Sequence, residues 1–150
     1  VIESRGLGDV YKRQEENFAE LANKLIDANL AKKIYLIASP QNQNVVNKII
    51  HLSGKNNFFD CSSFNLLQVI KVIKYSNYFV GNNSGPLNLA SALGIKAFGL
   101  IANDRVSELK NSNIKPILPK NYRNEINRER EGMKKLDVET VFNQIKDNIN

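Results

Sequence analysis

The stretch VGNNSGPLNLASALG, residues 80–94, runs from the end of an apolar strand into the start of a helix. Small and polar residues occupy its middle, and Pro86 suits the first turn of a helix because proline has no N–H to lose there. A loop that leads directly into a helix presents backbone N–H groups and the positive end of the helix dipole to an anion. Every strand-to-helix connection shares part of this geometry, so simple turn chemistry is the alternative interpretation.

Strand and helix patterns alternate on both sides of this stretch. Short apolar runs predict strands at residues 34–38, 58–59, 78–80 and 96–101. Apolar residues spaced three and four apart predict helices at residues 18–29, 45–52, 66–73 and 86–93. This order favours right-handed crossovers and a parallel sheet with helices on both faces. The predicted fold class is therefore α/β.

The pattern weakens beyond residue 101. A last short strand is predicted near residues 114–118, and residues 121–132 are too polar to indicate more than a loop or an exposed helix. The final helix is clear, because Asp137 can cap it and apolar residues follow along one face. No repeat or low-complexity linker interrupts the chain, which we interpret as one domain.

Composition excludes several classes of protein. The chain has 150 residues, of which 42% are hydrophobic and 24% charged, as in globular domains, and no apolar run is long enough to cross a bilayer. With one cysteine, Cys61, and one histidine, His51, a multi-cysteine metal site and a structural zinc site are excluded. The net charge of +6 favours anionic partners, although scattered lysines usually form a solvated surface.

The first residues differ in character from the rest. The run SRGLGDVYKRQ, residues 4–14, resembles the in-frame translation of a transposase-type sequencing-library adapter. We therefore predict that residues 1–14 are an artefact of gene assembly, and that residues 15–150 form the domain. A natural polar leader with a short strand is the alternative.

The segment NSGPLNLASALG, residues 83–94, resembles the donor-binding motif D-S-G-P-x-H-x-A-x-A-x-G of the heptosyltransferase family, glycosyltransferase family 9. Weaker similarity in the same order covers residues 17–25, 34–40, 66–79 and 133–145. The resemblance implies the C-terminal, donor-binding half of a GT-B enzyme, built as a Rossmann-like parallel sheet. The acceptor domain, which carries the catalytic carboxylate in such enzymes, is not part of this sequence, so we expect no catalytic residue here.

By this resemblance, the donor is a nucleotide-diphosphate sugar, typically ADP-heptose, and the acceptor is a lipid-linked saccharide of the lipopolysaccharide type. The family uses no metal or other cofactor, and its reaction implies a cytoplasmic location with peripheral contact to the inner membrane. The implied donor-binding residues are Asn83, Ser84, Gly85, Pro86 and Asn88, with Gly81 and Asn82 in a supporting loop. Nucleic acid is not an expected partner, because aromatic residues are not interleaved with the basic ones.

Two residues depart from the family motif. Asn83 replaces an aspartate and Asn88 replaces a histidine, so the first cannot carry a negative charge and the second cannot become a cation. At both positions, a role in the turn or the helix is the alternative to ligand contact. The chain could then be a non-catalytic Rossmann-like module that binds a nucleotide or another protein.

The family has a strand before its first helix, where this chain has residues 1–14. We therefore expect the first strand to be missing, which would leave two unpaired edges inside the sheet. On this basis, residues 15–150 alone should be marginally stable and should not transfer sugar.

Overall fold

The computed structural model describes residues 2–3, 12–82, 84–101, 106–109, 112–119, 122 and 136–150. Within these ranges, six parallel strands form one sheet in the order β3-β2-β1-β4-β5-β6. The strands are β1 (Ile2–Glu3), β2 (Ile34–Ile37), β3 (Phe58–Asp60), β4 (Tyr78–Asn82), β5 (Lys96–Leu100) and β6 (Ile114–Ile117). The predicted α/β class with a parallel sheet is confirmed.

In the described part of the chain, five α-helices pack on the sheet. They are α1 (Lys12–Asp27), α2 (Gln43–Ser53), α3 (Leu66–Lys74), α4 (Gly85–Ala92) and α5 (Val138–Asn148), and short 3-10 turns occupy Pro40–Asn42 and Val106–Leu109. Among the described ranges, no helix is both long and apolar enough to span a bilayer.

Local sequence explains where the helices start and stop. Gly54, at φ +65°, ends α2 in the left-handed region, where glycine carries no steric penalty. Asn65 and Gln68 form a capping box that starts α3, because each side chain accepts a hydrogen bond from the backbone N–H of the other. Asp137 caps α5 through the N–H of Thr140, as the sequence predicts.

The sheet separates two apolar cores. Helices α1, α2 and α5 cover one face, where Leu25, Val46 and Ile145 are fully buried. Helices α3 and α4 cover the other face, where Phe79 and Leu87 are fully buried. Burial on both faces explains why the central strands read as continuous apolar runs rather than as alternating ones.

The expected absence of the first strand is wrong. Ile2 pairs with Leu36 of β2 and with Val80 of β4, and Glu3 pairs with Ile37, so β1 fills the centre of the sheet. The ladders of β2 and β4 supply the partners that hold it, although two residues are too few to show a strand periodicity in sequence. The assignment of residues 1–14 to an artefact of gene assembly, with the domain in residues 15–150, stays a prediction.

The strand order places the end of β4 at the switch point of the sheet. The chain builds outward from β1 through β2 to β3, and then from β4 through β5 to β6, so the order reverses between β1 and β4. In open parallel sheets, ligands bind beyond the carboxyl ends of the strands at this point. The connection from β4 to α4 follows directly. Asn83 in this connection lies outside the described residues, as does the polar segment 121–132 apart from Tyr122.

Candidate functional site

The strand β4 is longer than its sequence suggests. Gly81 pairs with Gly99, and Asn82 pairs with Leu100, so both residues predicted as a supporting loop belong to the strand instead. The ladder with β5 continues through them because its backbone hydrogen bonds outweigh the low strand propensity of glycine and asparagine. Both are buried, and Asn82 is 9% exposed at the carboxyl edge of the sheet.

Ser84 begins the helix α4. Its backbone is extended, with φ −159° and ψ 171°, and its Oγ accepts a hydrogen bond from the N–H of Leu87 at 3.4 Å. This is the longest of the three side-chain caps in the described segments, because the corresponding distances are 2.9 Å at Asn65 and 2.7 Å at Asp137. Ser84 is 6% exposed, so its side chain is buried beneath the start of the helix.

The N–H groups of the first turn of α4 are unevenly engaged. Leu87 donates to Ser84 Oγ, Asn88 donates to the Ser84 carbonyl oxygen at 3.1 Å, and Pro86 has no N–H. The remaining donor is the exposed Gly85, whose N–H bonds to none of the described residues. A Cβ placed on Gly85 would meet nothing within 4 Å, so the space beside this backbone is open. The helix therefore presents an N–H, its positive dipole end and room for a ligand at one point.

Asn88 interacts with the start of its own helix. Its side-chain Nδ2 donates to the Ser84 carbonyl oxygen at 2.9 Å. Asn88 is exposed, and Pro86, which lies between Ser84 and Asn88 in sequence, is half-buried. The backbone N–H and the side-chain Nδ2 of Asn88 donate to the same oxygen atom, the Ser84 carbonyl. The predicted residues Ser84, Gly85, Pro86 and Asn88 thus form one compact group. Their role in donor binding stays a prediction.

Gly99 fixes α4 against the sheet, a role that was not predicted from the sequence. A Cβ at this position would lie 3.0 Å from Leu87 Cδ2 of α4 and 3.0 Å from Ile114 Cγ2 of β6. The absence of a side chain therefore lets Leu87 approach the sheet and seats the first turn of α4 above β5. A glycine inside an apolar strand is the sequence signal of such a close approach.

The other candidate residues, Cys61 and His51, lie away from the start of α4 and are not part of its group of polar atoms. Cys61 is 1% exposed, and burial, with a further contribution from the charge of Asp60, raises the pKa of its thiol from 9.0 to about 11. It is a buried apolar residue, as predicted, and is not activated. His51 is exposed in the last turn of α2. No cluster of histidine, cysteine or carboxylate side chains suited to a metal occurs among the described residues.

A shallow groove on α1 and α2 is unsuited to an anion. Glu16, Glu20 and Asp27 lie along it beside Lys24 and Leu52, and it encloses about 390 Å³. It lies on the opposite face of the sheet from α4, because α1 and α2 pack into the other core. Asp27 is paired with Lys55, but the carboxylates of the groove still outnumber its one lysine and would disfavour a diphosphate. The first turn of α4 therefore suits an anion better than this groove does.

Comparisons with known proteins agree with this assignment of the fold. The family model "Glycosyltransferase family 9 (heptosyltransferase)" matches residues 11–146. No curated protein sequence matches the chain.

Two solved structures share the fold. A glycosyl transferase family 9 protein from Veillonella parvula DSM 2008 superimposes with a TM-score of 0.77 at 14% identity, covering 99% of this chain and 45% of that one. The ADP-heptose lps heptosyltransferase II of E. coli superimposes with a TM-score of 0.75 at 16% identity, covering 99% of this chain and 46% of that one. This chain therefore spans less than half of the length of either structure.

Proposed function

Because the chain belongs to glycosyltransferase family 9, we propose that it is the donor-binding half of an enzyme that transfers a heptose or related sugar from a nucleotide diphosphate. The observation that supports this proposal most directly is the start of α4. The Gly85 N–H bonds to none of the described residues, the space that a Gly85 side chain would fill is open, and the residue lies at the switch point of the sheet in the position of the family motif.

In the proposed complex, the diphosphate lies against the first turn of α4. The Gly85 N–H donates to a phosphate oxygen, and the helix dipole contributes about half a positive charge at this end. These groups stabilise the negative charge that develops on the diphosphate when its bond to the sugar breaks. The absence of a side chain at Gly85 lets the phosphate approach the backbone.

The sugar transfer itself requires a second domain. An acceptor hydroxyl attacks the anomeric carbon from the face opposite the diphosphate, the carbon–oxygen bond to the diphosphate breaks, and the configuration inverts. A carboxylate on the acceptor domain takes the hydroxyl proton. We therefore expect the 150-residue chain to bind a donor without transferring its sugar.

The acceptor that we propose is a lipid-linked saccharide of the lipopolysaccharide type, met at the cytoplasmic face of the inner membrane. The donor is a nucleotide-diphosphate sugar, with ADP-heptose as the leading candidate. No cofactor is part of this proposal. Asn83 and Asn88, in place of the acidic and basic motif residues, are the features that would change donor affinity or identity.

Direct titration of the 150-residue chain tests the proposal. ADP-ribose is a suitable probe, because it is a nucleotide-diphosphate sugar whose two phosphates stay ionised at neutral pH. We expect saturable binding by calorimetry, tighter than the binding of ADP, which lacks the sugar, and of AMP, which also lacks the second phosphate. A non-catalytic nucleotide-binding module would show no preference for the sugar nucleotide over ADP.

A pair of matched variants locates the binding. Ser84→Ala and Asn65→Ala each remove one neutral helix cap, and each should cost about 1 kcal/mol of stability. Only Ser84→Ala should weaken ADP-ribose binding, because Ser84 caps the helix at which we propose that the diphosphate binds, whereas Asn65 caps α3. Equal weakening by both variants, or by neither, would contradict a donor site at α4.

A further inference from the structure

One residue holds the first peptide of α4 in place. The Ser84 carbonyl oxygen accepts both the backbone N–H of Asn88 at 3.1 Å and its side-chain Nδ2 at 2.9 Å. Side chains on a helix lean toward its N-terminus, so a residue at this position covers the turn before it. The Asn88 amide is therefore directed at the protein backbone.

We propose that Asn88 is a positioning residue, whose amide orients the peptide between Ser84 and Gly85 and thereby aims the Gly85 N–H at the diphosphate. This inference rests on the proposed function. In a planar trans peptide, the carbonyl and the N–H point in opposite directions. Since the Ser84 carbonyl points into the helix toward Asn88, the Gly85 N–H points outward from the helix start.

Neither the Ser84 cap nor the residues that follow it fix the orientation of this peptide. The cap from Ser84 Oγ to the N–H of Leu87 is long, at 3.4 Å, and Pro86 contributes no donor. Glycine also has the widest choice of backbone conformations, so Gly85 does not fix its own N–H direction. A second hydrogen bond on the Ser84 carbonyl therefore narrows the orientations that the N–H samples before a ligand arrives.

An asparagine at this position holds the peptide equally at every pH. The amide of Asn88 is neutral and always offers the same donor. A histidine would instead change its donors and its charge near a pH of about 6.5. The departure from the family motif at Asn88 would thus remove a pH dependence from donor binding while preserving the geometry.

The test compares ADP with ADP-ribose in titrations of the 150-residue chain and of Asn88→Ala at pH 8. We expect about threefold to tenfold weaker binding of both ligands, by the same factor, because loss of one backbone restraint acts on the diphosphate alone. The melting temperature should not fall, because alanine favours the exposed helix position more than asparagine does and offsets the lost bond. A merely structural role would lower the melting temperature together with the affinity.

A second variant tests whether a protonated histidine can replace the Asn88 amide and restore ADP-ribose binding. Asn88→His should recover ADP-ribose affinity as the pH falls from 8 through about 6.5, while the affinity of the unmodified chain stays level. A loss confined to ADP-ribose in Asn88→Ala would overturn the inference, because it would show Asn88 in contact with the sugar.

Unchanged affinity of Asn88→Ala for both ligands, alongside a loss in Ser84→Ala, would overturn the positioning role and leave the proposed function intact. Absence of binding by the unmodified chain would overturn the proposed function and this inference with it.

Discussion

Replacing Gly99 with alanine tests how α4 is held on the sheet. In the structure, the added Cβ lies 3.0 Å from Leu87 Cδ2 and 3.0 Å from Ile114 Cγ2. Ordinary contacts of this kind span 3.4–4 Å, so both methyl groups must move by a few tenths of an ångström. Leu87 is 0% exposed and Ile114 is 6% exposed, which leaves little free volume to receive them.

The expected cost follows from the overpacking of a closed core. Insertion of one methyl group into such a core destabilises by about 1–3 kcal/mol. For a domain of this size, each kcal/mol lowers the melting temperature by about 2–4 °C, so the total decrease should be about 2–12 °C. The first turn of α4 should also shift with Leu87, and ADP-ribose binding should weaken.

Urea unfolding followed by circular dichroism measures this cost, with Gly85→Ala as the matched control. The added Cβ of Gly85→Ala meets nothing within 4 Å, and the loss of a glycine should leave stability unchanged or raise it by up to about 1 kcal/mol. If Gly99→Ala is as stable as the unmodified chain, the close approach of Leu87 to β5 is refuted.

Three further predictions concern single residues. Gly85→Ala should weaken ADP-ribose binding about tenfold or more in calorimetry, because the methyl occupies the space that the phosphate needs, although stability is kept. Cys61 should resist a thiol reagent in the folded chain. Because burial raises the pKa of its thiol from 9.0 to about 11, its contribution to stability should be present below pH 9 and lost as the pH rises toward 11. The free energy of unfolding in urea should therefore decline from pH 8 to 10, and Cys61→Ala should flatten this decline. Lys96→Met should lower the free energy of unfolding by about 0.3–1 kcal/mol in a urea titration, because Lys96 Nζ donates to the Asn148 and Ile149 carbonyl oxygens at the end of α5. Unchanged stability would show that these two hydrogen bonds contribute nothing.

Much of the fold could be predicted from sequence because its signals are local. Gly54 ends α2, Asp137 starts α5, and Pro86 lies in the first turn of α4, each for a reason that belongs to the residue itself. The alternation of strands and helices then leaves a parallel sheet as the consistent arrangement, and the helix start after β4 could be recognised as a candidate site.

The features that sequence could not supply depend on distant partners. The strand at Ile2–Glu3 forms because it pairs with Leu36 and Val80, and two residues are too few to show the alternation of apolar and polar residues that predicts a strand. The importance of Gly99 comes from Leu87 and Ile114, which approach it from two other elements.

The orientation of the Asn88 amide could not be read from sequence for a different reason. Its partner, the Ser84 carbonyl, is only one turn away, but sequence alone does not distinguish an amide that reaches back to the backbone from one that points at a ligand. A motif comparison treats the residue simply as a replaced histidine.

The most direct test of the account is an NMR titration of the ¹⁵N-labelled 150-residue chain with ADP-ribose. If the diphosphate binds at the start of α4, the amide signals of Gly85, Leu87 and Asn88 should shift in a saturable manner. The signals of Glu16 and Glu20, in the acidic groove on the opposite face, should remain in place. Shifts confined to that groove, or no shifts at saturating ADP-ribose, would contradict the account.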